Sequence, residues 1–114
     1  MSISHYQSVQ RNTENPRQTE HRLFGQVTGA LARVGATVDV EGTKTLEWNR
    51  RLWLTLQSDL SREENLLPDQ LRAQLISLAI WVDKHTTKVL RGEAEIAPLI
   101  SVNRTIMEGL ATAG

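Results

Sequence analysis

Three histidines, His5, His21 and His85, are the side chains of this sequence best suited to acid-base or metal chemistry. A metal site on a helix needs ligands three or four residues apart on one face, and none of the three has such a partner. They read as surface histidines. The paired carboxylates Glu63-Glu64 and Asp39/Glu41 fall where helices begin, and negative charge there is favoured by the helix dipole alone. The glycines Gly25, Gly29, Gly35, Gly42, Gly92 and Gly109 stand singly, so no loop is built to cradle a phosphate. Cysteine is absent, which removes thiolate nucleophiles, cysteine metal sites and disulfides together. No catalytic residue, cofactor-binding residue or metal ligand is expected, and an enzyme is not.

Binding is the remaining class. Arg50-Arg51 beside Trp48 and Trp53 imitates a basic, aromatic-interleaved RNA surface, but it lies in no RNP-like or glycine-rich context. Lys plus Arg number 13, as do Asp plus Glu, for a net charge of zero. A neutral chain has no general attraction to phosphate or to an anionic membrane, so direct nucleic acid binding is not expected. The start Met1-Ser2-Ile3-Ser4-His5 lacks the basic then apolar order of an export signal, and the apolar run Leu75 to Val82 is closed off by Asp83, Lys84 and His85. A cytoplasmic protein without membrane insertion is the expectation. Asn49 and Asn103 each replace an apolar residue in a regular stripe. A buried amide without partners costs about 1 to 3 kcal/mol, so each is expected to be hydrogen-bonded inside the core and to fix helix register, in preference to touching a partner.

The elements that must position these groups are helices. Ser4 with Gln7, and Tyr6 with Val9, suggest a short first helix. Asn15-Pro16-Arg17-Gln18 is a strong helix start, with Asn as cap and Pro in the first helical position. Leu23, Val27, Leu31 and Val34 then recur on one face, and Gly35 is placed to end the helix. Ala36 to Gly42 reads as a connector, because the alternating Val38 and Val40 have no second strand to pair with. The next helix opens near Thr43 or Thr45 and runs to about Leu60, carrying Leu46, Asn49, Trp53, Leu56 and Leu60 on one face. Trp48 and Trp53 lie five residues apart and point in different directions, so one is expected in the core and the other at the surface. Around Ser61 to Pro68 the pattern leaves a short turn and a loop equally open. A long helix follows from about Leu67 to Leu90, stopped by Gly92. Its segment Leu71 to Val82 is apolar on almost every side, which predicts the most buried element and central post of the bundle. A last helix from Glu95 or Pro98 to Leu110 sets Leu99, Ile106 and Leu110 on one face with Asn103 among them. Gly25-x-x-x-Gly29 suggests a close helix contact. The expected fold is an all-α, single-domain bundle of about four to five helices spanning residues 1–114, with 1–14 and 111–114 fraying.

Taken together, Tyr6, Asn15-Pro16-Arg17-Gln18-Thr19-Glu20, Asn49-Arg50-Arg51-Leu52-Trp53, Asp59-Leu60, Asn65-Leu66-Leu67-Pro68 with Leu71-Arg72, and Asn103-Arg104-x-Ile106-Met107-x-Gly109-Leu110 resemble the FlaF family of flagellar biosynthesis proteins of alphaproteobacteria. Gln18 stands where that pattern has an acidic residue, and the Gly35 to Gly42 connector is peculiar to this chain. The resemblance implies a non-enzymatic protein needed for flagellin production and secretion, with flagellin as partner in a chaperone role. FlbT, a post-transcriptional repressor of flagellin messenger RNA, is the second implied partner, and regulation through FlbT without carriage of flagellin is the alternative function. Flagellin termini are disordered before assembly and amphipathic once helical, which suits a small bundle with an apolar groove. The binding surface expected from the resemblance joins Asn15, Pro16, Arg17 and Glu20 at one helix start to Arg50, Trp53 and Arg72. Local salt bridges are the competing explanation of those charges.

Overall fold

The computed structural model describes the backbone of residues 16–113 and the side chains of residues 18–109. Among them are four helices and no strand: α1 Pro16–Ala32, α2 Val40–Leu60, α3 Asp69–Leu90 and α4 Ala97–Ala113. The short helix expected at Ser4 to Val9 lies outside the described residues. So does the cap Asn15, and the described part of α1 begins at Pro16.

Two boundaries differ from expectation for identifiable reasons. The first helix ends at Ala32 rather than Gly35, closed by a tightened turn in which Arg33 N donates to Ala30 O and Val34 N to Leu31 O, each at 3.1 Å. The second begins three residues before Thr43, because Asp39 is its cap: the Asp39 carboxylate accepts from Gly42 N at 2.8 Å. Gly42 also lets the α1–α2 turn close. A Cβ there would sit 3.0 Å from Val34 Cγ1 and 3.2 Å from Val38 Cγ1. The α3 stop is the expected one. Gly92 adopts φ +73°, with Glu93 N donating to Lys88 O and Gly92 N to Val89 O, which is the Schellman pattern. The last helix runs on to Ala113 instead of stopping at Leu110.

Packing follows the chain up and down. The helix α1 lies between α2 and α4, and α2 lies between α1 and α3, whereas α3 and α4 scarcely touch. Phe24, Val27 and Leu31 of α1, with Leu46, Trp53, Leu56 and Leu60 of α2, form the centre of the core. Phe24 and Trp53 meet edge to face, their centroids 5.4 Å apart. Burying an aliphatic or aromatic side chain of this size contributes about 1.5 to 3 kcal/mol, which is what holds such short helices together.

The central post is α2, not α3. Within Leu71 to Val82 only Ala79 and Val82 are buried, and Leu71, Ile80 and Trp81 are exposed at 40%, 43% and 37%. An all-round apolar helix was read as one surrounded by neighbours. Here α3 has one full neighbour, and the surplus apolar surface faces an open side.

Candidate functional site

Three of the four buried polar residues among those described, Thr28, Asn49 and Asn103, form one cluster with Trp53 across three helices, while Thr86 on α3 donates to Val82 O within its own helix. Trp53 Nε1 can only donate, so Asn103 must present its Oδ1, which accepts at 2.8 Å. That orientation turns Asn103 Nδ2 toward Asn49 Oδ1 at 2.8 Å and Thr28 Oγ1 at 3.2 Å. Thr28 passes its own proton to Phe24 O. Asn49 and Asn103 are fully buried, as expected, and they fix the register of α4 on α1 and α2. Asn49 Nδ2 has no hydrogen-bond partner among the described residues. Inaccessible from outside, this cluster is a structural joint.

The accessible site arises where α3 and α4 part. A groove of about 390 Å³ runs along Leu71, Leu75 and Leu78 of α3, faces Ile106 and Gly109 of α4, and is floored by Leu56 and Leu60 of α2. The α2–α3 connection, residues 61–68, overhangs it. Asn65 Oδ1 accepts from Leu67 N at 3.0 Å, and this turn directs Leu67 inward to partial burial while Leu66 projects outward at 97% exposure. Arg72 secures the turn by donating from Nε to Leu60 O at 3.0 Å and from Nη2 to Arg62 O at 3.2 Å. The result is a concave apolar surface with a leucine held out at its mouth, and an exposed apolar patch of this kind marks an interaction site. A larger hollow of about 880 Å³ lies at the other end of the bundle, between the α1–α2 and α3–α4 connections. Turn residues such as Gly35, Thr37, Gly92 and Glu93 line much of it, without the continuous leucine row of the groove.

Of the seven residues expected at the binding surface, the four whose side chains are described separate in the structure. Glu20 lines the groove, and Arg72 braces its mouth. Arg50 is absent from the groove and ties α2 to α3, with Nη1 3.4 Å from Asp83 Oδ1, Nη2 3.6 Å from Glu47 Oε1 and a 3.3 Å hydrogen bond to Thr87 Oγ1. Trp53 is 1% exposed and acts in the core, so it offers no surface, and half-buried Trp48 is the outer one of that pair. Asn15 and the side chains of Pro16 and Arg17 lie outside the described residues. Sequence reasoning missed Leu66, Leu75 and Leu78 as site residues. For Leu75 and Leu78 the signal was the apolar surplus of α3, which was read as burial, whereas Leu66 lies before α3 in the Asn65-Leu66-Leu67-Pro68 stretch.

No group of three or more His, Cys, Asp or Glu among the described residues could hold a metal ion, and no described helix is long and apolar enough to cross a membrane. A comparison with protein-family models matches residues 2–110 to the flagellar protein FlaF. The chain belongs to the FlaF family. Searches of curated proteins and of solved structures return no match. It is therefore a flagellar protein, and three of the stretches that carried the FlaF resemblance now have places. Asn49, Trp53 and Asn103 build the buried joint, and Asn65 to Pro68 with Leu71-Arg72 builds the mouth of the groove.

Proposed function

We propose that this FlaF-family chain is a non-enzymatic cytoplasmic chaperone that seats an amphipathic helix of flagellin in the α2–α3–α4 groove, promoting flagellin synthesis, secretion and filament assembly. The observation that carries the reading is the open leucine row of α3 with Leu66 held out beside it. Size favours one mode. From Leu71 to Leu78 the row covers about two helical turns, roughly 10 Å, and a guest helix of that length and about 10 Å diameter has a volume of about 800 Å³. A groove of about 390 Å³ takes the apolar face of such a helix and leaves its polar face in water. That is helix-in-groove recognition, read through side chains at i, i+3/i+4 and i+7.

Calorimetric titration of purified flagellin and purified FlbT, each alone, into the folded chain tests this. Flagellin is expected to bind, and the Leu66→Asp, Leu71→Asp double variant is expected to lose it while remaining folded, since Leu66 is 97% and Leu71 40% exposed. Binding of FlbT alone would replace this reading with regulation through the repressor. Undiminished flagellin binding by the double variant would place the site elsewhere.

A further inference from the structure

The rim of the groove carries a charge that the fold does not use. Glu20 and Asp59 line the apolar groove and also an adjoining cleft of about 530 Å³ shared with Arg51, Ser58 and Arg62. They stand on the ridge between an apolar and a polar hollow. Asp59 lies in the last turn of α2, where the carbonyl ends of the helix disfavour negative charge, and that turn contains no basic residue. Of the cations around it, Arg72 gives its donors to Leu60 O and Arg62 O and its ion pair to Asp69, 3.6 Å away, and Arg51 and Arg62, which line the adjoining cleft, make no ion pair with Asp59 among the described residues. The Asp59 carboxylate has no ion pair or hydrogen bond among the described residues. Only its backbone carbonyl is engaged, by Arg62 N and Asn65 Nδ2. An acid placed against its own helix dipole, exposed and idle beside an apolar groove, complements a guest that brings a cation.

We propose that the groove selects an amphipathic helix whose apolar stripe is flanked by a lysine or arginine, and that Asp59 is the specificity-determining residue that receives this cation. The inference rests on the helix-in-groove reading and names the chemistry of its guest. Leucines of the guest would cover Leu66, Leu71 and Leu75, and its flanking cation would reach the ridge. The charge governs which helix is accepted, and the apolar row supplies most of the affinity.

The probes are two synthetic helical peptides of about 18 residues, long enough to hold a helix, with one shared leucine stripe and either Lys or Glu at both flanks. Both flanks are changed so that either direction of docking is covered. By fluorescence anisotropy at low salt, the chain is expected to bind the Lys peptide about 1.5- to 5-fold more tightly, the range of one exposed ion pair, with the preference shrinking at high salt. Asp59→Asn is expected to abolish the preference and Asp59→Lys to reverse it, while the urea midpoint of both variants stays level or rises. Equal affinity of the unaltered chain for both peptides, or an unchanged preference in Asp59→Lys, overturns the inference alone when flagellin itself still binds. If neither peptide nor flagellin binds, the groove reading falls with it.

Discussion

Replacing Asn103 by Ala should cost this protein about 3 to 5 kcal/mol, and the figure follows from counting what is left behind. The side chain accepts from Trp53 Nε1 and donates to Asn49 Oδ1 and Thr28 Oγ1, all within a fully buried cluster. Its removal strands the Trp53 N–H and the Asn49 carbonyl, each at about 1 to 3 kcal/mol. Thr28 keeps its bond to Phe24 O and adds little. The small void beside these polar groups could admit a water, which holds the total near the middle of the range. Against a usual stability of about 5 to 15 kcal/mol, this is a large fraction. With a urea slope of about 1 to 3 kcal/mol/M, the midpoint should fall by about 1 to 5 M, with the slope itself unchanged. A loss below about 1 kcal/mol would refute the claim that Asn103 is the joint between α4 and the α1–α2 pair.

Three other substitutions probe separate parts of the structure. Asp39→Ala removes the α2 cap and should cost about 1 kcal/mol, visible as a drop of several degrees in the thermal midpoint. Gly92→Ala should cost about 1 to 2 kcal/mol by urea denaturation through backbone strain alone, since φ is +73° and a Cβ would meet nothing within 4 Å. Arg50→Ala should change stability by about 0 to 1 kcal/mol and leave flagellin binding intact, because its ion pairs to Glu47 and Asp83 are partly solvated and it does not line the groove.

Where local chemistry decides structure, the sequence was legible. The Gly92 stop of α3 is set by residues within one turn of the event, and it stands as expected. Asn49 and Asn103 were readable because an amide in an apolar stripe has few stable fates, and they meet each other at 2.8 Å. Asp39 was missed as a cap because the flanking Val38 and Val40 drew attention to strand-like alternation, whereas Gly42 and its contacts with Val34 and Val38 are tertiary facts. The site was less legible still. Periodicity can count the apolar sides of α3, but it cannot tell whether a neighbour covers them, and the separation of α3 from α4 is what turns Leu71, Leu75 and Leu78 from core into groove. Trp53 was drawn into the expected surface by its motif and belongs to the core by its burial.

The most direct test of the groove is a backbone amide NMR spectrum of the labelled chain titrated with unlabelled flagellin. Shifts are expected at Leu66, Leu71, Leu75 and Leu78, and across the groove at Thr105 and Gly109, with the exposed Trp81–His85 stack undisturbed. Shifts gathered on Ile80, Trp81 and His85 with the leucine row silent, or a spectrum unchanged by saturating flagellin, would contradict it.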